Sequence, residues 1–214
     1  MDEEISIIDT NTRNEKVKIF FINNKKKLIA ITTIFLILVT GYFSFDAFKK
    51  KEKVNLANKF NLTIINFKTE NSEKTIEDLI NIIKENDNTY SPLALYFLID
   101  NNLVNEQEEI NFLFDELINK TNLEEEIKNL NIYKKALFNS SFVTENELLQ
   151  ILNPIVNSES IWKSHALYLL AEFFYSKEEK QKAKEFFNQI LLLPNPNNDI
   201  RKEVQKIINR DFRE

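Results

Sequence analysis

Apolar side chains run without a charge from Leu28 to Phe45, and Lys25-Lys26-Lys27 and Lys49-Lys50-Lys51 close the run on either side. A helix of that length covers about 27 Å, close to the ~30 Å hydrocarbon core of a bilayer. The pattern predicts a membrane-spanning helix over residues 28–48, with Leu28, Ile34, Phe35, Leu36, Leu38 and Phe45 among its spanning side chains. Thr32, Thr33, Thr40 and Ser44 are expected to bond carbonyls one turn back. A soluble core helix is rarely apolar on every face. A cleaved signal peptide fits less well than a retained anchor: the start, Met1-Asp2-Glu3-Glu4, is acidic, and no small-x-small site follows the run.

Beyond the run the period changes. Ile76, Leu79, Ile80 and Ile83 fall at i, i+3, i+4 and i+7, and Ile110, Leu113, Phe114, Leu117 and Ile118 repeat that spacing. So do Leu148, Ile151, Leu152, Ile155 and Val156, then Leu167, Leu170, Ala171 and Phe174, then Ala183, Phe187, Ile190 and Leu191. Each set lays an apolar stripe on one face of a helix. Asn105-x-x-Glu108, Asn122-x-x-Glu125, Thr144-x-x-Glu147 and Ser176-x-x-Glu179 have the form of capping boxes, and Ser91-Pro92 that of a helix start. Pro154 is expected to kink or end a helix near Asn153, and Pro194 and Pro196 to close another. The result is an all-α chain of short helices with short linkers, a run of αα-hairpins that must stack to bury their stripes. The divisions are a tail over 1–27, either disordered or forming an interfacial turn at Ile19–Ile22, the span over 28–48, a juxtamembrane helix or linker over 49–72, and a repeat domain over 73–214.

Composition supports this. The chain holds 214 residues with one Gly and no Cys, which removes Gly-rich phosphate loops, dinucleotide fingerprints and thiolate metal sites. Asn is abundant alongside Lys, Ile and Phe, a compositional bias, so single Asn residues are given no weight. Residues 54–214 carry eighteen Lys/Arg and twenty-six Asp/Glu, a net of −8, which argues against nucleic acid as a partner. The single His165 cannot build a His-rich metal site, and runs such as Glu124-Glu125-Glu126 read as solvated helix starts. No catalytic residue, cofactor or metal ligand and no small-molecule substrate is expected, so the chain reads as a non-enzyme. Asp46 reads as an interfacial cap. For Trp162, and for Phe173 and Tyr175, which lie off the main stripe, packing between hairpins is the first reading, and they are also the candidates for partner binding.

Ala94-Leu95-Tyr96-Phe97-Leu98 recurs as Ala166-Leu167-Tyr168-Leu169-Leu170, with a weaker copy around Tyr133-Lys134-Lys135-Ala136-Leu137. The hairpin from Ser164 to Leu191 resembles a tetratricopeptide repeat, with Leu167, Leu170, Ala171, Phe174, Ala183, Phe187 and Ile190 at its packing positions, although Glu178 stands where such repeats favour Gly. The layout of Asp2–Phe67 together with the repeats at Ser91–Leu117 and Ser160–Ile208 resembles the YfgM-like group, ancillary subunits of the SecYEG translocon that share a repeat domain with the CpoB cell-division coordinator. That resemblance implies a right-handed tetratricopeptide-like solenoid and a single-pass inner-membrane protein, with its N-terminus in the cytoplasm and its repeat domain in the periplasm. It implies protein partners: translocon subunits, periplasmic chaperones or clients. A structural single-span subunit of another inner-membrane complex is the alternative. Charge does not orient the span: six Lys/Arg precede it and five follow within about 20 residues.

Overall fold

The computed structural model describes the backbone of residues 2–68 and 72–212 and the side chains from residue 13 onward. The side chains of the acidic start and residues 69–71 of the expected linker lie outside the described residues. The described residues are helical with no strand among them: α1 (Asp2–Ile65), α2 (Ser72–Lys84), α3 (Tyr90–Asp100), α4 (Gln107–Lys120), α5 (Glu125–Asn139), α6 (Glu145–Val156), α7 (Lys163–Ser176), α8 (Lys180–Leu192) and α9 (Asn198–Asp211). Two compact units divide the chain, residues 1–55 and 56–214.

In the first unit the expected polar tail is helical. Residues 13–65 of α1 are long and apolar enough to cross a membrane, a property that a signal sequence shares, and none of its most apolar window is buried. The hydroxyls of Thr32, Thr33 and Thr40 donate to the carbonyls of Leu28, Ile29 and Leu36, each at 2.9 Å, so these polar atoms are satisfied within the helix. Asp46 is not a cap: α1 continues through it, and its carboxylate pairs with Lys50 at 2.8 Å one turn on. A methyl group placed on Gly41 would meet nothing within 4 Å, so among the described residues this glycine marks no close approach of another segment.

The second unit begins earlier than the pattern predicts. Phe60 is buried, Leu56 and Ile64 pack against the same core, and the Phe60 ring lies 5.7 Å from that of Tyr90. From α2 to α9 each helix packs on the next, and α2 with α4, α5 with α7, and α7 with α9 also touch. The predicted stripes form the core. Ile110, Leu113, Phe114, Leu117 and Ile118 are all buried, as are Leu167, Leu170, Ala171 and Phe174 of α7 and Ala183, Phe187 and Ile190 of α8. Ala171 and Ala183 are fully buried, small side chains where α7 and α8 meet, and Phe174 stacks on Phe186 at 5.5 Å.

Helix ends show how a chain with one Gly stops its helices. Asn86, Asn102 and Glu178 take positive φ, at 55°, 50° and 63°. After α3, Leu103 N–H donates to Leu98 and Asn102 N–H to Ile99. After α7, Glu179 N–H donates to Phe174 and Glu178 N–H to Tyr175. Both are Schellman ends, built on residues other than Gly.

Of the four expected capping boxes one forms. Thr144 accepts from Glu147 N–H while the Glu147 carboxylate accepts from Thr144 N–H. The caps of α4, α5 and α8 are Glu106, Glu124 and Glu179, none with a side-chain bond. Ser176 cannot cap α8, because it belongs to the last turn of α7 and donates to Phe173. Ser91 is not a cap either. It is buried inside α3 and donates to the Ile82 carbonyl of α2, while Asp87 accepts from the N–H groups of Thr89 and Tyr90. α6 runs three residues past Asn153 to Val156, so Pro154 lies inside its last turn.

Replacing Phe187 with Ala removes a fully buried ring from the core and is expected to cost about 3–5 kcal/mol, against less than ~0.5 kcal/mol for Ala at the exposed Phe112, read by chemical denaturation. Glu178→Gly relieves a left-handed residue and is expected to stabilise by about 0.5 kcal/mol, whereas Glu178→Val destabilises by about 1 kcal/mol or more.

Candidate functional site

The odd-numbered helices carry a second stripe at the margin of the core, against which its Tyr133, Tyr168 and Tyr175 pack on one side. On α7 it begins one turn early at Ile161 and continues through His165, Tyr168, Glu172 and Tyr175, at intervals of four, three, four and three residues. On α5 it is Leu130, Tyr133 and Leu137, and on α3 it is Leu93, Tyr96 and Asp100. Every one of these side chains is half-buried or exposed; Leu93, Leu137 and Ile161 are 42%, 50% and 69% exposed. Soluble helices normally show polar residues at such positions.

Contacts join the stripes in the order α3, α5, α7, α9. The Tyr96 hydroxyl donates to Asn131 Oδ1 of α5 at 2.8 Å, and Lys134 of α5 lies 4.1 Å from the centre of the Tyr96 ring. Tyr133 stacks on Trp162 at 5.9 Å and meets His165 edge-on at 5.7 Å, and Trp162 and His165 rings are 5.0 Å apart. The Tyr175 hydroxyl donates to Asp211 of α9 at 2.9 Å, and its ring lies 5.9 Å from Phe212. Tyr168 feels the carboxylates of Glu172 and of Glu203 on α9. One tyrosine per odd helix thus stands at the same repeat position, Tyr96, Tyr133 and Tyr168; the first two meet the following odd helix, while the Tyr168 ring lies 6.1 Å from that of Phe187 on α8.

Burial sets the electrostatics of this face. It pushes the Tyr96 hydroxyl up to about 12, against a smaller downward pull from the Asn131 bond. It raises Tyr133 too, and Tyr168 rises to about 12 through burial first and the two carboxylates second. Burial lowers His165, partly opposed by the Ile161 carbonyl, and among the described residues its buried Nδ1 has no hydrogen-bond partner of good geometry. The hydrogen bond to Asp211 raises the Tyr175 hydroxyl, and Arg210 holds Asp211 below the usual carboxylate range.

The three predicted partner-binding residues divide. Phe173 is buried, edge-on to Phe174 at 5.7 Å with Lys177 4.2 Å over its ring, so it packs the core rather than facing a partner. Trp162 and Tyr175 are half-buried at the border of the odd-helix face and hold neighbouring helices together. The acids of α5 are not all solvated: Glu126 accepts from Ser160 Oγ at 2.7 Å and from Ile161 N–H at 3.4 Å, tying the start of α5 to the start of α7.

Asparagines given no weight in the sequence prove structural. Asn131 is fully buried, stands where the flanking repeats have Ala94 and Ala166, and donates to Ile127 while accepting from Tyr96. Asn139, also buried, accepts from Gln107 and Asn111 of α4 and donates back to Asn111 and to Lys135. Lys135 and Asp115 add an ion pair at 2.7 Å across the same seam. Fully satisfied networks of this kind fix one register between two helices.

Elsewhere the surface offers little chemistry. A shallow cleft of about 300 Å³ lies among Lys59, Leu62, Asn66, Lys74 and Asp78, and another of about 400 Å³ among Phe142, Thr144, Glu145 and Lys177. Among the described residues no group of three or more His, Cys, Asp or Glu is placed to hold a metal ion. No protein-family model matches the chain, and no curated protein or solved structure matches it significantly.

Replacing the buried Asn139 with Ala takes away the acceptor of the half-buried Gln107 and Asn111 amides and is expected to cost about 1 kcal/mol or more in denaturation. The raised tyrosines set an alkaline limit. The unfolded chain releases their protons near pH 10 and the folded chain only toward pH 12, so their contribution is complete below pH 10 and is lost as pH rises through that window. Tyrosinate absorbance should show two late-ionising groups, and Tyr96→Phe should remove one of them.

Proposed function

We propose that this chain is a membrane-anchored interaction protein. In this reading Leu28 to Phe45 is a retained span, and the helices from α2 to α9 form a tetratricopeptide-like right-handed solenoid that binds protein partners. The observation that carries it is the uncovered apolar and aromatic face of α3, α5 and α7, in a chain that also carries a helix apolar enough to span a bilayer. Stacked helical repeats present such faces to partners, and a membrane tether raises the local concentration of partner and binder. The resemblance to YfgM-like ancillary subunits suggests what the partners are: subunits of the SecYEG translocon together with periplasmic chaperones or their clients. The same resemblance orients the span, with the N-terminus cytoplasmic and the helical domain periplasmic. No catalysis is assigned, since the face brings together tyrosines, aliphatic residues and one neutral His without a nucleophile beside a base.

The alternative, a structural single-span subunit of another inner-membrane complex, draws on one observation: α1 runs unbroken past Phe45 to Ile65. Photo-crosslinking in cells from Leu137 separates the two. Capture of translocon subunits or periplasmic chaperones supports the first reading. Capture of one fixed complex in constant proportion supports the second. Alkaline phosphatase fused to the C-terminus should be active in cells; an inactive, intact fusion rejects the periplasmic orientation.

A further inference from the structure

The odd-helix face is apolar, and the domain that bears it is acidic as a whole: residues 69–214 carry twenty-six Asp/Glu against sixteen Lys/Arg. The excess lies in residues 69–160 (eighteen against six), while residues 161–214, which hold Glu172 and Glu203, carry eight against ten. On the face itself Glu172 sits between Tyr168 and Tyr175. α9 runs beside α7 in the same direction, its start tied to α7 by the Asn197 N–H that donates to Ser164 Oγ and its end by the Tyr175 hydroxyl that donates to Asp211. Glu203 lies between those two ties, as Tyr168 does, and both carboxylates raise the Tyr168 hydroxyl. Glu203 pairs with the exposed Lys206 of its own helix, at 3.0 Å, a surface pair that a better-placed cation can replace. Asp100 ends the α3 stripe, exposed to solvent. The cation at the other side, Lys134, is engaged over the Tyr96 ring. Of the tyrosine rings, Tyr96 is engaged by Lys134 and Tyr133 by Trp162, so Tyr168, beside Glu172, is the ring whose negative π-face adds to the carboxylates.

We propose that the α3–α5–α7 face receives a polypeptide segment that is both apolar and basic: its aliphatic or aromatic side chains lie along Leu93, Leu137 and Ile161, and a Lys or Arg is held at Glu172 and Glu203 beside Tyr168. The inference rests on the reading of this domain as an interaction module and adds the chemistry of its partner. An acidic peptide would be repelled by the net charge of the domain before contact and would leave Glu172 desolvated and unpaired after it. An anionic bilayer surface is disfavoured on the same ground. The attraction of a basic segment over this acidic field speeds its arrival, and the two carboxylates fix its direction along the face.

The test uses the full chain in detergent micelles with a photo-crosslinker at Leu137 and, as the off-face control, at the exposed Phe112. Two labelled peptides are compared, one built of Leu and Lys and one with every Lys replaced by Glu; crosslink yield against peptide concentration is the readout, so partition into micelles does not register. The Lys peptide is expected to crosslink at Leu137 with a midpoint about tenfold lower than the Glu peptide, and not at Phe112. Glu172→Gln with Glu203→Gln should raise that midpoint about fivefold, and Ile161→Ser should raise it as well. Equal midpoints for the two peptides overturn the charge preference, and so does a Lys peptide indifferent to the paired Gln substitutions. Crosslinks from Leu137 to a second copy of the chain, or to anionic lipid in preference to peptide, also overturn the proposal. If neither peptide is captured while Leu137 still captures a protein in cells, the proposed chemistry fails and the interaction reading stands; if both fail, both readings fall.

Discussion

The packing of α7 on α8 is the contact on which the second unit depends. Leu167, Leu170 and Phe174 meet Phe187 and Ile190 in a layer from which water is excluded, and Ala171 and Ala183 keep the helix axes close enough for the rings to interlock. Isolated helices of thirteen or fourteen residues are marginal in water, so neither would persist without the other. α7 in turn supports α6 before it and α9 after it, and through Trp162 and His165 it supports α5. The array is held by nearest-neighbour contacts, and losing one layer exposes the stripes on both sides of it.

The periodic stripes are legible in the sequence because a helix that buries one face must repeat its apolar residues every three or four positions. Ile110 to Ile118 and Leu167 to Phe174 do so without exception, and both sets are buried. Helix starts are less legible. Three of four capping signatures fail because register is set by which side chains the core accepts: Asn105 and Asn122 fall before the cap positions, Glu106 and Glu124, and Ser176 is taken into the last turn of α7. Ser91 fails for the related reason that its hydroxyl is inside the core with the Ile82 carbonyl within reach.

The candidate face is half legible. Its tyrosines stand in the recurring segments, but the middle copy looks degenerate because Asn131 replaces a small apolar residue. In the fold that Asn is the partner of Tyr96, so the apparent decay of the repeat is the substitution that secures the ring of the preceding one. Of the two readings of Phe173, packing and partner binding, burial matches the first: one position on a helix covers about 100°, and a residue adjacent to the main stripe is covered when helices pack on two sides. Composition hides the rest: in a chain rich in Asn, the buried Asn139 is indistinguishable by type from the many exposed ones.

An uncovered stripe of Leu, Ile and Tyr is an aggregation hazard for a freely diffusing domain. Two features of the chain reduce it. The acidic excess over residues 69–160 makes copies repel one another before their faces meet. The hydroxyls and the indole ring of the face are also held in place, by Asn131, by Asp211 and by stacking on Tyr133, so little side-chain freedom remains to be lost when a partner binds. In the proposed mode of binding, rigid aromatic rings in an acidic field favour few partners over many, because a segment must match both the spacing of the rings and the sign of the charge. A flexible, methionine-rich face would bind more widely; this chain has one Met, at position 1, and places none on the face.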